Sequence, residues 1–342
     1  MFKKWLWGTA LTLALVVTGV IVYYGYSIVH FANSISTAAS GDSPASNLDS
    51  SHTESSDTPK VVIPKWDGKE RVNILLIGGD SRGDDAGRSD SVMVASIDPV
   101  SKKAHLFSVL RDTYVAIPGH GKSRLNAAYS FGGAELTKQT VSDLLGIPIQ
   151  HYVYTDFTGF MALVDALDGI DIDVEKDMYY TSKADKHMYD IDLKKGLQHM
   201  DGKTALQYVR FRHDATSDFT RTERQRIFMT DLAKKMQSTT SLFKIPEMLE
   251  AIAPYIKTDL SPTQMLKLAS LGFDIRVNEI DQQQIPPNKL LTNERAGSAQ
   301  VLGVNVPKLQ AYIQKLFEED NQSSSDSSVT GESNEELSHN HQ

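Results

Sequence analysis

Residues 72–110 read VNILLIGGDSRGDDAGRSDSVMVASIDPVSKKAHLFSVL, and this stretch decides the fold. Within it Val72–Ile77, Ser91–Ile97 and Ala104–Leu110 are short apolar runs with the β-branched content of buried strands. Gly78-Gly79 closes the first run. Downstream, Asn126–Gly146 carries apolar residues at helical spacing and stops at Gly146-Ile147-Pro148. Ile149–Tyr154 reads as strand, Phe157–Leu167 as helix and Ile170–Val174 as strand. Further helices fit Asp201–Tyr208, Asp218–Met236 with Asp218 as N-cap, Ile245–Ile256, Pro262–Leu271 and Val306–Glu319. Asn278–Ile285 adds a late edge strand. The alternation predicts an α/β protein, an α-β-α sandwich whose mixed, mostly buried central sheet is flanked by helices.

The ends differ from this block. Lys3 and Lys4 precede an almost uncharged run, Trp5–Ala32, with Trp5, Trp7, Tyr23, Tyr24 and Tyr26 at its flanks. It is long enough for a membrane-spanning helix over residues 5–28, and the positive-inside tendency puts residues 1–4 in the cytoplasm and the rest outside. A cleaved signal peptide is the competing reading. Residues 29–65 read as a flexible linker, 66–320 as the folded domain and 321–342 as a disordered tail.

The 342 residues hold 35 Lys+Arg against 43 Asp+Glu, a net charge of −8, with 40% hydrophobic residues and no cysteine. A net-acidic chain is a poor general polyanion binder, so nucleic acid is not an expected partner. Without cysteine there is no disulfide framework, thiolate metal site or cysteine nucleophile.

The arginines are segregated. Of 12, five fall in Arg71–Arg124 and five in Arg210–Arg226, with none in the 85 residues between. Arginine suits bidentate recognition of phosphate or carboxylate. Asp80-Ser81-Arg82 follows the first strand, where ligands of open α/β sheets bind. Arg88-Ser89-Asp90 leads into the next strand, and Arg111 sits past the third. Two carboxylates, Asp80 and Asp90, among arginines suit a hard cation such as Mg²⁺ or Mn²⁺ shared with phosphate oxygens; pairing of these acids with nearby arginines is the alternative. Gly119–Asn126 is a basic turn before a helix, carrying Lys122, Arg124 and Asn126. Arg210 and Arg212 are i, i+2 in an extended stretch and point the same way. Arg221, Arg224 and Gln225 share one helix face, whereas Arg226 falls off it and fits an exposed face balanced by Glu223 and Asp231.

Six ordered segments resemble the LytR-CpsA-Psr family: NILLIGGDSRGDDAGRSDSVMVASID (73–98), FSVLRDTYVAIPG (107–119), RLNAAYSFGG (124–133), DALDGIDIDV (165–174), GLQHMDGKTALQYVRFRHD (196–214) and DFTRTERQR (218–226). The resemblance spans about residues 70–237, and the anchor and linker share the family's layout. It implies a Mg-dependent phosphotransferase moving a phosphoglycan, such as wall teichoic acid or capsular polysaccharide, from an undecaprenyl-pyrophosphate carrier to a peptidoglycan sugar hydroxyl. Catalytic roles are implied for Asp80, Asp90, Arg111, Arg210 and Arg212, with Asp80 and Asp90 as metal ligands. Pyrophosphate contacts are implied for Arg82, Arg88, Arg124, Asn126, Arg221, Arg224 and Gln225. The chain departs from the family's K-x-N segment by carrying Arg124 in place of Lys, with Lys122 two positions earlier. The apolar faces of Phe157–Leu167 and Ile245–Ile256 are candidates to line a lipid tunnel. A metal-dependent polyprenyl-pyrophosphate hydrolase and a non-catalytic wall-polymer binding or attenuator protein are the alternatives.

Overall fold

The computed structural model describes residues 26, 27, 30, 65–79, 89–183, 187, 190–213, 218–238 and 244–335, the last fifteen as backbone. The expected membrane span lies outside this set but for Tyr26 and Ser27. Among the described residues no helix is long and apolar enough to cross a membrane.

The three apolar runs form β1 (Val72–Gly79), β2 (Ser89–Ile97) and β3 (Ala104–Val109), an antiparallel meander. After the hairpin β4 (Tyr114–Ile117) and β5 (Gly121–Arg124) comes α1 (Ala127–Leu145), then β6 (His151–Asp156), which returns parallel to β1. Helix α2 (Phe157–Ala166) leads to β7 (Ile170–Val174), the hairpin β8 (Met178–Tyr180) and β9 (Ile191–Leu193), and β10 (Gly196–Met200), paired with β7. Helices α3 (Gly202–Arg210), α4 (Asp218–Met236) and α5 (Ile245–Ile252) follow, then β11 (Ile256–Thr258), α6 (Pro262–Asp274), β12 (Asp281–Ile285), the hairpin β13 (Leu291–Ala296) and β14 (Ala299–Val304), and α7 (Val306–Glu335). The central sheet is mixed, in the order β11-β6-β1-β2-β3-β12.

Period-two alternation divides the sheet between two layers. Leu75, Ile77, Val92, Val94, Phe107 and Val109 pack with Val141, Leu144 and Leu145 of α1 and Leu309 and Ile313 of α7. A second cluster joins α2, α3, α4 and α5 to β7, β8 and β9 through Val164, Ile172, Met178, Leu193, Leu206, Phe228 and Met248. Two glycines are required by geometry. Gly146 closes α1 with φ at 69°, a left-handed cap, and its N–H donates to the Ser142 carbonyl. A Cβ on Gly202 would lie 2.3 Å from the Met161 carbonyl oxygen, so only glycine lets α3 start this close to α2.

Several expectations shift. The helix expected over 245–256 ends at Ile252, because Pro254 cannot continue it, and the chain re-enters the sheet as β11. Arg210 is the last residue of α3 rather than part of an extended stretch. The final helix, expected to end at Glu319, is described as helical backbone to Glu335.

Candidate functional site: an apolar cavity with an arginine mouth

The sheet face opposite α1 forms the floor of a cavity of about 310 Å³. Strand register builds it in rows. Leu76 of β1 lies beside Met93 of β2 and Val153 of β6, and Gly78 lies beside Ser91 and Thr155. Ile256 of β11 pairs with Thr155 and extends the second row. The roof comes from Phe157, Phe160 and Leu163 of α2, Leu206 and Val209 of α3, Phe228, Met229 and Leu232 of α4, and Ile252 of α5. The two segments expected to line a tunnel therefore do contribute. The contribution of α4 was not foreseen, since its arginines dominate its sequence reading.

The mouth is polar, formed by Asp90, Arg210, Arg212, Arg221 and Gln225. Arg111 joins them from the end of β3, with Nη1 donating to Asp90 Oδ1 at 2.7 Å and Nε to Asp218 Oδ2 at 3.2 Å. Asp218, at the first turn of α4, also pairs with Arg212 Nε at 2.9 Å and Arg221 Nη2 at 3.3 Å. One carboxylate thus gathers three guanidiniums. Burial alone would raise the Asp218 pKa, but Arg221, Arg111 and Arg212 outweigh it and hold the carboxyl below its ordinary value. Burial pulls Arg221 down to about 10, with Asp218 opposing and the neighbouring arginines adding to the fall. It keeps its charge at neutral pH. Arg210 stacks over Phe157, 4.9 Å from the ring centroid, and Gln225 is oriented by the Val209 carbonyl and the Ser91 hydroxyl.

Of the residues expected at the site, the structure brings together Asp90, Arg111, Arg210, Arg212, Arg221 and Gln225. Asp80, Arg82 and Arg88 lie outside the described residues. Arg224 is placed elsewhere: only 2% exposed, it donates to the Phe211 carbonyl and Thr220 Oγ1 and pairs with Glu175. Helical phase put it near Arg221, but the two side chains diverge around the segment that packs on α4. Arg124 pairs with Asp112, and Asn126 is buried with its backbone N–H on the Arg111 carbonyl; neither lines the cavity. Arg226 is not on an exposed face but buried against β3, bonded to the Ser108 hydroxyl. The sequence suggests only a helix cap for Asp218, although its spacing of three from Arg221 carries the signal for an ion pair.

Among the described residues no group of three or more His, Asp or Glu side chains is placed to hold a metal ion. Of the two expected metal ligands only Asp90 is among the described residues, and it gives one oxygen to Arg111.

Residues 28–318 match the LytR_cpsA_psr family along most of the chain. The chain belongs to the LytR-CpsA-Psr family. It is 39% identical over 214 residues to the regulatory protein MsrR of Staphylococcus aureus, covering 62% of each chain, so the match spans less than two thirds of that relative. It is 39% identical over 224 residues to the polyisoprenyl-teichoic acid–peptidoglycan teichoic acid transferase TagU of Bacillus anthracis, covering 65% of this chain and 71% of TagU. Among solved structures, the LytR-CPS2A-psr protein YwtF (TagT) with bound octaprenyl pyrophosphate superposes with a TM-score of 0.55 at 26% identity, over 76% of this chain and 94% of that one. The mixed sheet with helices on both faces is the fold of this family.

Proposed function

We propose that this LytR-CpsA-Psr protein transfers a phosphoglycan, such as wall teichoic acid or a capsular polymer, from a polyprenyl-pyrophosphate carrier to a sugar hydroxyl of peptidoglycan. The observation that carries this reading is the union of an apolar interior and an arginine-rich mouth in one cavity. An isoprenoid chain gains about 0.8 kcal/mol for each CH₂ it buries, which the row of Leu76, Met93 and Val153 and the facing aromatic residues would supply. The pyrophosphate would then lie at Arg111, Arg210, Arg212, Arg221 and Gln225. The name of TagU and the lipid held by TagT support the same substrate class.

In this reading the acceptor oxygen attacks the glycan-side phosphorus. A new P–O bond forms, the P–O bond to the carrier breaks, and polyprenyl phosphate leaves. The guanidiniums stabilise the charge on the equatorial and leaving oxygens, so positioning and electrostatics replace a covalent nucleophile. The acceptor proton would pass to a carboxylate, Asp80 in preference to Asp90, since Arg111 and the cation would take both Asp90 oxygens. Asp80 and Asp90 would hold Mg²⁺ or Mn²⁺, which would neutralise phosphate charge. Anchorage through residues 5–28 would place the domain outside the cytoplasmic membrane, beside both substrates.

The test supplies full-length protein with lipid-linked glycopolymer, with and without peptidoglycan. A polymer–peptidoglycan product that depends on acceptor supports transfer. Release of polymer at the same rate without acceptor would show a hydrolase, and binding with no turnover would show a carrier protein.

A further inference from the structure

By simple alternation Asp90 belongs on the other face of its strand. Along β2, Val92 and Val94 pack into the core beneath α1, whereas Ser91 and Met93 line the cavity. A period of two would send Asp90 to the α1 side with Val92. It lines the cavity mouth instead, where Arg111 Nη1 donates to its Oδ1 at 2.7 Å. The register supplies the reason. Gly78 lies opposite Ser91 but Gly79 lies opposite Ser89, so β2 carries one residue more than β1 and Asp90 is that residue. A bulge of this kind bends the strand and re-aims a side chain. Ser89 takes the place facing Gly79 and is fully buried.

An aromatic pair covers the bulge from the α1 side. Tyr154 of β6 is aligned with Ile77 of β1, and both belong to the core on that face. The Tyr154 ring reaches forward over Gly79: a Cβ there would lie 2.7 Å from its Cε2 and 2.8 Å from its hydroxyl oxygen. At 3% exposure the ring has no solvent to swing into. Tyr129 of α1 stacks on it, with centroids 5.1 Å apart and planes 10° apart, and Lys257 Nζ of β11 lies 5.8 Å from its centroid. Neither tyrosine lines the cavity. Their reach to the mouth therefore runs through the backbone at Gly79.

We propose that Tyr154, backed by Tyr129, is a positioning residue for Asp90. By filling the space over Gly79 it fixes the bulge between β1 and β2, and so keeps the carboxylate in the cavity mouth against Arg111. The inference rests on the transferase reading above, in which Asp90 serves the phosphate centre. Without the ring the strand pair is free to lose the bulge, and a shift of one residue carries a side chain to the opposite face. A misplacement of about 1 Å at a reacting centre costs on the order of a hundredfold in rate.

The test uses full-length protein in detergent and compares wild type with Tyr154→Leu, Tyr154→Phe and Tyr129→Leu. Crystal structures are read at the Asp90–Arg111 contact, and transfer from lipid-linked glycopolymer to peptidoglycan gives kcat and KM. In Tyr154→Leu the contact is expected to break and kcat to fall roughly tenfold or more, with the lipid KM within about twofold, because Arg111 stays on Asp218 and the apolar lining is untouched. Tyr154→Phe keeps the ring and should recover most of the rate. If Tyr154→Leu does not fold, Tyr129→Leu, at a partly buried position, is read in the same way with a smaller expected effect. A contact that stays intact in the leucine variants, or a raised KM with kcat unchanged, overturns the positioning role. A wild type that yields no acceptor-dependent product overturns the transferase reading alone, and the Asp90–Arg111 contact in the variant crystals still decides the role of Tyr154.

Discussion

Arg111 and Asp218 meet across the mouth of the cavity, Nε to Oδ2 at 3.2 Å, although they lie on different elements 107 residues apart. Through this contact the end of β3 and the start of α4 share one charge centre with Arg212 and Arg221. Without the carboxylate, three guanidiniums would repel one another in a partly desolvated space.

Asp218→Asn keeps the shape and removes the charge. Breaking a buried ion pair costs about 3 kcal/mol or more, so thermal denaturation should show a clear fall in Tm, and lipid-pyrophosphate affinity should change with it. An unchanged Tm and affinity would show that the arginines are held by other contacts.

The Asp218 shift also sets an acid limit. A carboxyl whose folded pKa lies below its unfolded value stabilises the fold fully above that unfolded value, about 3.9, and loses the contribution as pH falls through the lower folded one. Asp281 behaves likewise, held down first by its hydrogen bond with His105. Urea midpoints should therefore fall with acid below about pH 4. Asp218→Asn and Asp281→Asn should each flatten that fall, and an unaltered slope in both would refute the assignment.

Arg212 and Arg224 should separate function from folding. Arg212→Ala, at a solvent-open mouth position, should weaken pyrophosphate binding with little change in Tm. Arg224→Ala should lower stability by on the order of 2–3 kcal/mol, since it leaves the Phe211 carbonyl without its donor. The reverse ranking of the two in denaturation and binding assays would contradict the placement of Arg224.

Met93→Trp should fill the cavity from the floor. Binding of a long polyprenyl pyrophosphate, followed by isothermal calorimetry, should fall roughly tenfold or more, equivalent to losing about two buried CH₂ groups. Soluble pyrophosphate should bind as before.

Gly202→Ala probes the contact of α2 with α3. The added methyl would meet backbone rather than a movable side chain. A loss of about 1–3 kcal/mol is expected in chemical denaturation; neutral stability would mean that the helices can separate without penalty.

Local sequence determined a great deal. The runs around Leu75, Val94 and Phe107 read as buried strands because their apolar side chains occupy consecutive positions, and Gly146 before Ile147-Pro148 marks a helix end because glycine takes a left-handed cap without strain. The clustering of arginine in two segments is legible along the chain and raises the expectation of an anion site. Tertiary structure decided which arginines gather at the cavity mouth. Arg221 and Arg224 share a helical face by spacing, yet one faces the cavity mouth and the other clamps Phe211 to Glu175, because the 175–180 and 211–213 segments pack on only part of that face. Asp218 became the centre of the cage for the same reason. Periodicity and propensity act over a few residues and are written in order along the chain. The charge centre at Asp218 and the cavity floor across β1, β2 and β6 depend on strand register and on contacts between distant segments, which only the packed fold sets.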